Sequence, residues 1–295
     1  MSSVKGNDRL RAGNVMETLQ AKLEALPPSQ KGLARFLLSH FDEAVFLTAA
    51  QLARRSGTSE SSVIRFAKRL QYRGFPELQE DLQALLRRNL APKERMQRAG
   101  GIPEKSEAIL DRISEMALTN IRESRKLLNP QVLKEAAKAI TAAHTKYVVG
   151  LRASSGTAQL LGFYLGLILP NIRIQTDGGP ALFEALLSVS KKDVVLAISY
   201  PRYTKWTVEG LRYARKQGAA TIAITDSQLS PIAQIAEIAL VARAASITFA
   251  NSYVGAMLVV DSLIGMILNL TPQESLARLD AVERVLKGRD FFYAA

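Results

Sequence analysis

The feature that most limits what this chain can fold into is a change of periodicity near residue 90. Up to about Asn89, apolar residues recur at three- and four-residue spacings, and no run resembles a buried strand. Further on, short β-rich runs alternate with longer amphipathic stretches: Lys146 to Leu151, Asn171 to Gln175, Asp193 to Tyr200, Ala220 to Thr225 and Glu237 to Val241. A helix between successive strands makes each connection a crossover, so the strands run parallel and helices cover both faces of the sheet. The expected fold is an all-α domain followed by an α/β domain with a parallel five-stranded sheet. Ala91 to Lys105, with Pro92, Gly100, Gly101 and Pro103 among mixed charges, reads as a hinge. The expected division is 1–90, a linker at 91–105, and 106–295. In open parallel sheets, ligands bind outside the carboxyl ends of the strands, which locates a pocket before any motif is considered.

Several classes of function are excluded by what the chain lacks. It has no cysteine, and its two histidines are His40 and His144, so disulfides, thiol catalysis and a His-rich metal site are ruled out. No cofactor and no metal are expected. Met1 to Leu10 is polar and charged where a signal peptide needs an apolar core. Leu160 to Leu169 is too short to span a bilayer, and Tyr253 to Leu270 is interrupted by Asp261, Ser262 and Asn269. Both read as buried helices of a cytoplasmic protein without a membrane role. The 39 Lys and Arg against 27 Asp and Glu give a net charge of +12, which favours a polyanionic partner through release of condensed counterions. Charge alone does not separate DNA from RNA or an anionic membrane.

Within the helical half, one helix is expected from about Ser29 to His40 and a second from Thr48, where Thr48 and Gln51 have capping-box spacing. Gly57 suits a left-handed helix end, and Thr58 or Ser59 caps a third helix reaching about Gln71. At 100° per residue, Val63, Phe66, Ala67 and Leu70 share one face, while Ser61, Arg65, Lys68 and Tyr72 share the other. From Thr48 to Arg73 there are six basic residues and one acid, Glu60. The pattern fits a helix-turn-helix in which Thr58, Ser59, Ser61, Ser62, Arg65, Lys68, Arg69 and Tyr72 meet double-stranded DNA. Spacing alone favours the DNA reader but also allows a plain bundle with a solvated basic face.

The segment resembles the helix-turn-helix of the RpiR family of bacterial transcriptional regulators. The match runs through Leu26-Pro27-Pro28-Ser29-Gln30-Lys31, Thr48-Ala49-Ala50-Gln51-Leu52-Ala53, Gly57-Thr58-Ser59-Glu60-Ser61-Ser62-Val63-Ile64-Arg65-Phe66 and Leu70-Gln71-Tyr72-Arg73-Gly74-Phe75-Pro76-Glu77-Leu78. The second half is similar to the sugar isomerase (SIS) domain of the same regulators. That resemblance implies a sheet that binds phosphosugars through hydroxyls and amides after two of its strands.

The first such place is Gly150-Leu151-Arg152-Ala153-Ser154-Ser155-Gly156-Thr157, a strand end opening a helix. Helix amides and the helix dipole favour an anion there, with Arg152, Ser154 and Ser155 as candidates. Plain helix capping by Ser154 is the alternative. Arg152 stands where many family members have a glycine. The second place is Ser199-Tyr200-Pro201-Arg202-Tyr203-Thr204, where many family members have Ser-x-Ser-Gly-x-Thr. Ser199 and Thr204 keep the outer hydroxyls, Pro201 and Arg202 replace the inner pair, and Arg202 and Tyr203 join the candidate ligand contacts. A guanidinium fork can receive a phosphate or a carboxylate, so the effector is expected to be a sugar phosphate, a sugar acid or a polyol. Asp226, Ser227, Ser246 and Ser252 are further candidate wall residues.

A sugar-phosphate isomerase is the rival reading, because related domains move a proton beside a carbonyl. Such chemistry needs a positioned base. His144 precedes the first strand, and Glu184 is the one attractive carboxylate after a strand, with a surface helix position as its ordinary explanation. No catalytic residue is assigned. A basic RNA-binding or nucleoid protein is disfavoured, since a bare DNA coater has no use for a second α/β domain. A homodimer or homotetramer is expected, as two readers related by symmetry match a palindromic operator.

Overall fold

A computed structural model describes residues 19, 23, 26–70, 72–89, 93, 94, 96, 106–228 and 230–287. Most of the expected hinge and the expected third-helix end at Gln71 lie outside the described residues. The chain divides into two compact units, the first ending at Ala91 and the second beginning at Pro92.

The first unit is helical throughout its described residues. Helices α1 (Pro28–Ser39), α2 (Phe41–Ala44), α3 (Ala49–Arg55), α4 (Glu60–Arg69) and α5 (Phe75–Asn89) follow in order. Each start and stop has a local cause. Pro28 sits in the first turn of α1, where its missing N–H costs nothing. At α3 the Thr48 hydroxyl accepts from the Gln51 amide at 3.2 Å, and Gln51 Oε1 accepts from the Thr48 amide at 2.9 Å, a complete capping box. Gly57 has φ 67°, and the Thr58 amide then donates to the Ala53 carbonyl at 2.9 Å, which closes the end of α3 in a left-handed turn. Ser59 caps α4 by accepting from the Ser62 amide. Leu33, Leu37, Leu52, Val63, Phe66 and Leu78 are buried between these helices. Burial of each such side chain contributes about 1.5–3 kcal/mol. The Gln79 amide donates to the Val45 and Leu47 carbonyls at 3.2 and 2.8 Å, fixing α5 to the α2–α3 connection.

The second unit opens with α6 (Ser106–Leu127) and α7 (Pro130–Ala142). The chain then alternates through β1 (Lys146–Gly150), α8 (Ser155–Ile168), β2 (Ile172–Gln175), α9 (Pro180–Leu186), β3 (Val194–Ile198), α10 (Lys205–Lys216), β4 (Ala220–Thr225) and β5 (Ile238–Val241). It ends in α11 (Val254–Leu270) and α12 (Pro272–Leu286). All neighbouring strands are parallel, in the order β2-β1-β3-β4-β5. Strand ends differ from the sequence expectation by a residue or two, because hydrogen-bonded register, not apolar character, sets where pairing stops. The expected helix from Asn251 begins only at Val254, and the residues before it form part of a cavity wall.

Alternate side chains of each strand face opposite layers. Val148, Leu196, Ile198, Ile222 and Ile224 pack against α7, α8 and α11. Tyr147, Val149, Val195, Ala197 and Ala223 pack against α9 and α10. The two long apolar stretches of the sequence are α8 and α11, with Leu161, Leu165, Val259, Val260 and Leu263 buried. No single helix among the described residues is long and apolar enough to cross a membrane.

At the amino ends of β1 and β3, buried Asp193 ties the sheet together. Its Oδ1 accepts from the Thr145 amide at 3.0 Å, and its Oδ2 accepts from the Ser190 amide and hydroxyl at 2.9 and 2.8 Å. Burial pushes this carboxyl up, but the hydrogen bonds from Ser190 and Thr145 outweigh it and hold it below its ordinary value. A carboxyl depressed in the folded state stabilises above its unfolded value, near 3.8, and that stabilisation is lost as pH falls through the folded value. Asp193→Ala is expected to cost about 2–3 kcal/mol in urea melts at pH 7. The gap from wild type should narrow in acid; an unchanged gap there would show that the ionised form has no special role.

Candidate functional sites

The α3–turn–α4 pair presents its polar surface through a short list of side chains. Ser59, Ser61, Arg65, Lys68 and Arg69 are exposed, together with Ile64. Three of the residues expected on this surface lie elsewhere. Ser62 is buried, with its hydroxyl 3.0 Å from that of Ser59 and accepting from Arg65 Nη2 at 3.0 Å, so it orders the cap and orients the arginine. Tyr72 is also buried. Helix α4 ends at Arg69, and the Tyr72 amide turns back to the Ala67 carbonyl at 3.0 Å, so the helical wheel no longer applies and the ring enters the core. Burial, with Asp81 and then Glu77 nearby, pushes its phenol far above the ordinary value. Thr58 is half-buried, its hydroxyl oxygen is covered, and its amide closes the end of α3.

The Gly74-Phe75-Pro76-Glu77 stretch has a structural reason. It starts α5: Phe75 is buried, Pro76 occupies the first turn, and Glu77 reaches back to accept from the Arg73 amide at 2.6 Å.

In the second unit, the crossover after β1 leads to α8 on one face of the sheet and the crossover after β3 leads to α10 on the other. Between two strands whose connections part in this way a crevice is left at the carboxyl ends. A cavity of about 220 Å³ occupies it, lined by Leu151, Arg152, Ala153, Ser154, Ser199, Tyr200, Pro201, Arg202, Thr204, Phe249, Ala250, Asn251 and Tyr253. Leu151, Ser154, Ser199, Tyr200 and Pro201 are buried, whereas Arg152, Ala153, Arg202, Phe249 and Ala250 are exposed. The lining therefore pairs buried hydroxyls and rings with a cationic outer edge, and it includes no carboxylate.

Ser154 and Thr204 occupy the N-cap positions of α8 and α10, yet neither side chain caps its helix. The Ser154 hydroxyl instead meets the Tyr253 hydroxyl at 3.2 Å. Neither helix has an acid in its first turn, so both positive helix ends are left to the cavity. Burial raises the phenol of Tyr253, partly offset by Ser154, and raises that of Tyr200 further, with Asp226 and Tyr253 adding to it. Both stay protonated at neutral pH. Their rings meet edge to face at 5.3 Å, and the Tyr200 hydroxyl has no hydrogen-bond partner among the described residues. Arg152 adopts φ 55°, a left-handed conformation that favours glycine.

Of the candidate ligand contacts, Arg152, Ser154, Ser199, Arg202 and Thr204 line the cavity, while Ser155 and Tyr203 do not. Ser155 is taken into the first turn of α8, its amide donating to the Arg152 carbonyl. The Tyr203 hydroxyl donates to Asp226 at 2.6 Å, so this pair braces the loops after β3 and β4. Ser246 orders its own loop through Thr248, and neither it, Ser252, Ser227 nor Asp226 reaches the lining. His144 lies before β1, at the opposite end of the sheet, and Glu184 is an exposed residue of α9. Among the described residues no group of three or more His, Cys, Asp or Glu could hold a metal ion. Phe249, Asn251, Tyr253 and Tyr200 were not expected. The first three lie in a loop with no motif, and only the fold brings it to β1 and β3.

A helix-turn-helix joined to a doubly wound α/β unit makes this protein a two-part DNA-binding transcriptional regulator. Residues 13–89 match the model of the helix-turn-helix domain, rpiR family, and residues 139–266 match that of the SIS domain. The sugar isomerase domain of an RpiR transcription factor from Sphaerobacter thermophilus is 31% identical, with TM-score 0.58 over 60% of this chain and 98% of that one. An HTH-type transcriptional regulator of Providencia stuartii is 29% identical over 235 residues, 76% of this chain and 80% of its own. The NanR protein of Vibrio vulnificus, 21% identical, has a similar fold, with TM-score 0.57 over 95% of this chain and 100% of its own. The chain belongs to the RpiR family, as its helix-turn-helix residues implied.

The left-handed backbone at Arg152 generates a test. A non-glycine residue there costs about 1–2 kcal/mol. Arg152→Gly is expected to leave thermal stability unchanged or raise it, whereas Arg152→Ala, which keeps the strain, gives no gain. A clear loss of stability in Arg152→Gly would mean that the side chain holds the loop.

Proposed function

We propose that this regulator reads a DNA operator through α4 and that a sugar phosphate, or a related sugar acid or polyol, held between β1 and β3 sets how tightly it reads. The observation that carries the effector reading is the cavity at the switch point, with two arginines, two uncapped helix ends and no carboxylate. A phosphate or carboxylate at Arg152 and Arg202 would gain charge-assisted hydrogen bonds, with no carboxylate among the described lining residues to compete. Ser154, Ser199 and Thr204 would meet hydroxyls or phosphate oxygens. The similarly folded Vibrio vulnificus NanR has been seen complexed with ManNAc-6P, which supports a phosphosugar among the candidates. Isomerisation is the second reading. It needs a base beside the substrate carbon, and none of the described lining residues is His, Asp or Glu, which favours sensing over catalysis.

On the DNA side, the exposed Ser59, Ser61 and Arg65 would meet base edges, and Lys68 and Arg69 would meet phosphates. Residues 1–90 act as the reader, 91–105 as the linker and 106–295 as the sensor, in a cytoplasmic homodimer or homotetramer. Exposed apolar side chains on α6 and α8, among them Leu110 and Phe163, are suited to burial between copies.

Two experiments test the reading. In a thermal-shift screen of sugar phosphates, sugar acids and polyols, an anionic sugar is expected to stabilise the wild type by about 2.7 kcal/mol at 100 times its Kd. That stabilisation should fall away in Arg202→Ala; its survival would remove the role of Arg202. In the second, the full chain binds a defined palindrome at two protomers per site, at least about 10³-fold tighter than random duplex at physiological salt. Lys68→Ala should weaken both affinities and lower the salt slope by about 1. Equal affinity for palindrome and random duplex would overturn the operator reading.

A further inference from the structure

Residues 242–253, which join β5 to α11, touch two parts of the sensor at once. At the base of this loop, the Asn120 amide of α6 donates to the Ala245 carbonyl at 2.7 Å while its Oδ1 accepts from the Ala245 amide at 3.1 Å. One turn further along α6, the Ser124 hydroxyl accepts from the Arg243 amide at 2.8 Å. Asn120 and Ser124 are 1% and 0% exposed, so these bonds are made without competition from solvent. The side-chain amide supplies a donor and an acceptor on adjacent atoms, and an ionised aspartate could not satisfy both backbone groups of Ala245. The contact is close enough to depend on Gly255: a Cβ there would lie 2.5 Å from the Arg243 carbonyl oxygen and 2.8 Å from Ser124 Oγ.

Between base and tip the loop is bonded to itself. The Thr248 amide donates to Ser246 Oγ at 3.0 Å, the Ala250 amide to Thr248 Oγ1 at 3.2 Å, and the Ser252 amide to the Ala244 carbonyl at 3.2 Å. These bonds tie the tip of the segment to its base. Its tip forms a wall of the cavity: Phe249 stands 56% exposed at the edge, the Asn251 amide donates to the Pro201 carbonyl, and Tyr253 meets Ser154 and Tyr200.

We propose that residues 242–253 are a lever that reports the state of the cavity to α6, with Phe249, Asn251 and Tyr253 as its sensing end and Asn120 and Ser124 as its output. The proposal deepens the effector reading above and rests on it for its biological use. A ligand that takes the Ser154 hydroxyl competes with Tyr253, and one that sits beneath Phe249 must fit or shift the same wall. Because the loop is internally closed, its base shifts too, and its base is bonded to α6. Helix α6 begins one residue beyond the 91–105 segment that leads from the reader, so it is the element of the sensor nearest in sequence to the DNA-binding half. The coupling is a contiguous chain of hydrogen bonds, and a ligand works through it only by favouring one arrangement of the wall.

The test needs no ligand. Hydrogen exchange is followed by mass spectrometry on the full chain as wild type, Asn251→Ala, Asn120→Ala and the double variant. Asn251→Ala, which cuts the tie to Pro201, is expected to speed exchange across 117–127 about fivefold while 207–216, in the opposite helical layer, stays unchanged. Asn120→Ala should speed the same peptides and abolish their response to Asn251→Ala. Ser124→Ala, a smaller change, should reduce that response without removing it, and serves if Asn120→Ala fails to fold. A response to Asn251→Ala confined to 242–253, or spread evenly over the sensor, would overturn the lever. A lever seen here alongside a silent thermal-shift screen would leave the coupling standing and remove the effector reading alone.

Discussion

The second unit depends on one constraint, the burial of both faces of a parallel sheet. Parallel neighbours cannot be joined by tight turns, so the chain must cross one face or the other between strands, by a helix at each step up to β4 and by a turn-rich segment between β4 and β5. The strand order β2-β1-β3-β4-β5 makes the connections leaving β1 and β3 part to opposite faces. The gap is therefore a consequence of topology, and the residues that happen to follow β1 and β3 become its walls. This is why Arg152 and Arg202, 50 positions apart in sequence, line one cavity, and why His144, at the other end of β1, cannot take part.

The parts of this arrangement legible in the sequence were those written locally. The capping box at Thr48, the left-handed Gly57 and the alternation of strands and helices as far as β4 each depend on a few adjacent residues, and each forms where its residues stand, whereas no helix forms among the described residues between β4 and β5. The division of strand residues between two helical layers follows the period of two, and both long apolar runs became helices packed on the sheet, with Phe163 and Tyr164 of the first left exposed. The misplaced residues share a different cause. Tyr72 and Thr58 lie just past helix ends, where the 100° rule lapses and a backbone bond turns the chain inward. Ser62 and Tyr203 are polar residues claimed by neighbours, the Ser59 cap and Asp226, which residue type alone does not reveal. On the third wall the expected residues were Ser246 and Ser252, but Phe249, Asn251 and Tyr253 of the same loop form it; these carry no spacing signal, and only the return of the chain from β5 to α11 brings them to the site.

The departure of the 199–204 loop from the family's hydroxyl pattern can now be read as a change in how charge would be met. With Pro201 and Arg202 in place of a serine and a glycine, one hydroxyl donor is lost, and a guanidinium stands exposed at the edge. A hydroxyl donates one hydrogen bond to an anion, whereas a guanidinium offers two parallel donors and a full charge. Arg152 repeats the exchange on the other loop and keeps a left-handed backbone, a strain of the kind that persists where the surrounding structure holds it. The carbonyl of Pro201 gains a use of its own, since it receives the Asn251 amide and so fastens the loop after β3 to the loop before α11. Exchanging a serine for proline thus removes a donor to the ligand and leaves a tie between two walls. That tie uses a main-chain oxygen that any residue at 201 would supply, so the substitution changes how an anion would be met without altering how the two loops are joined.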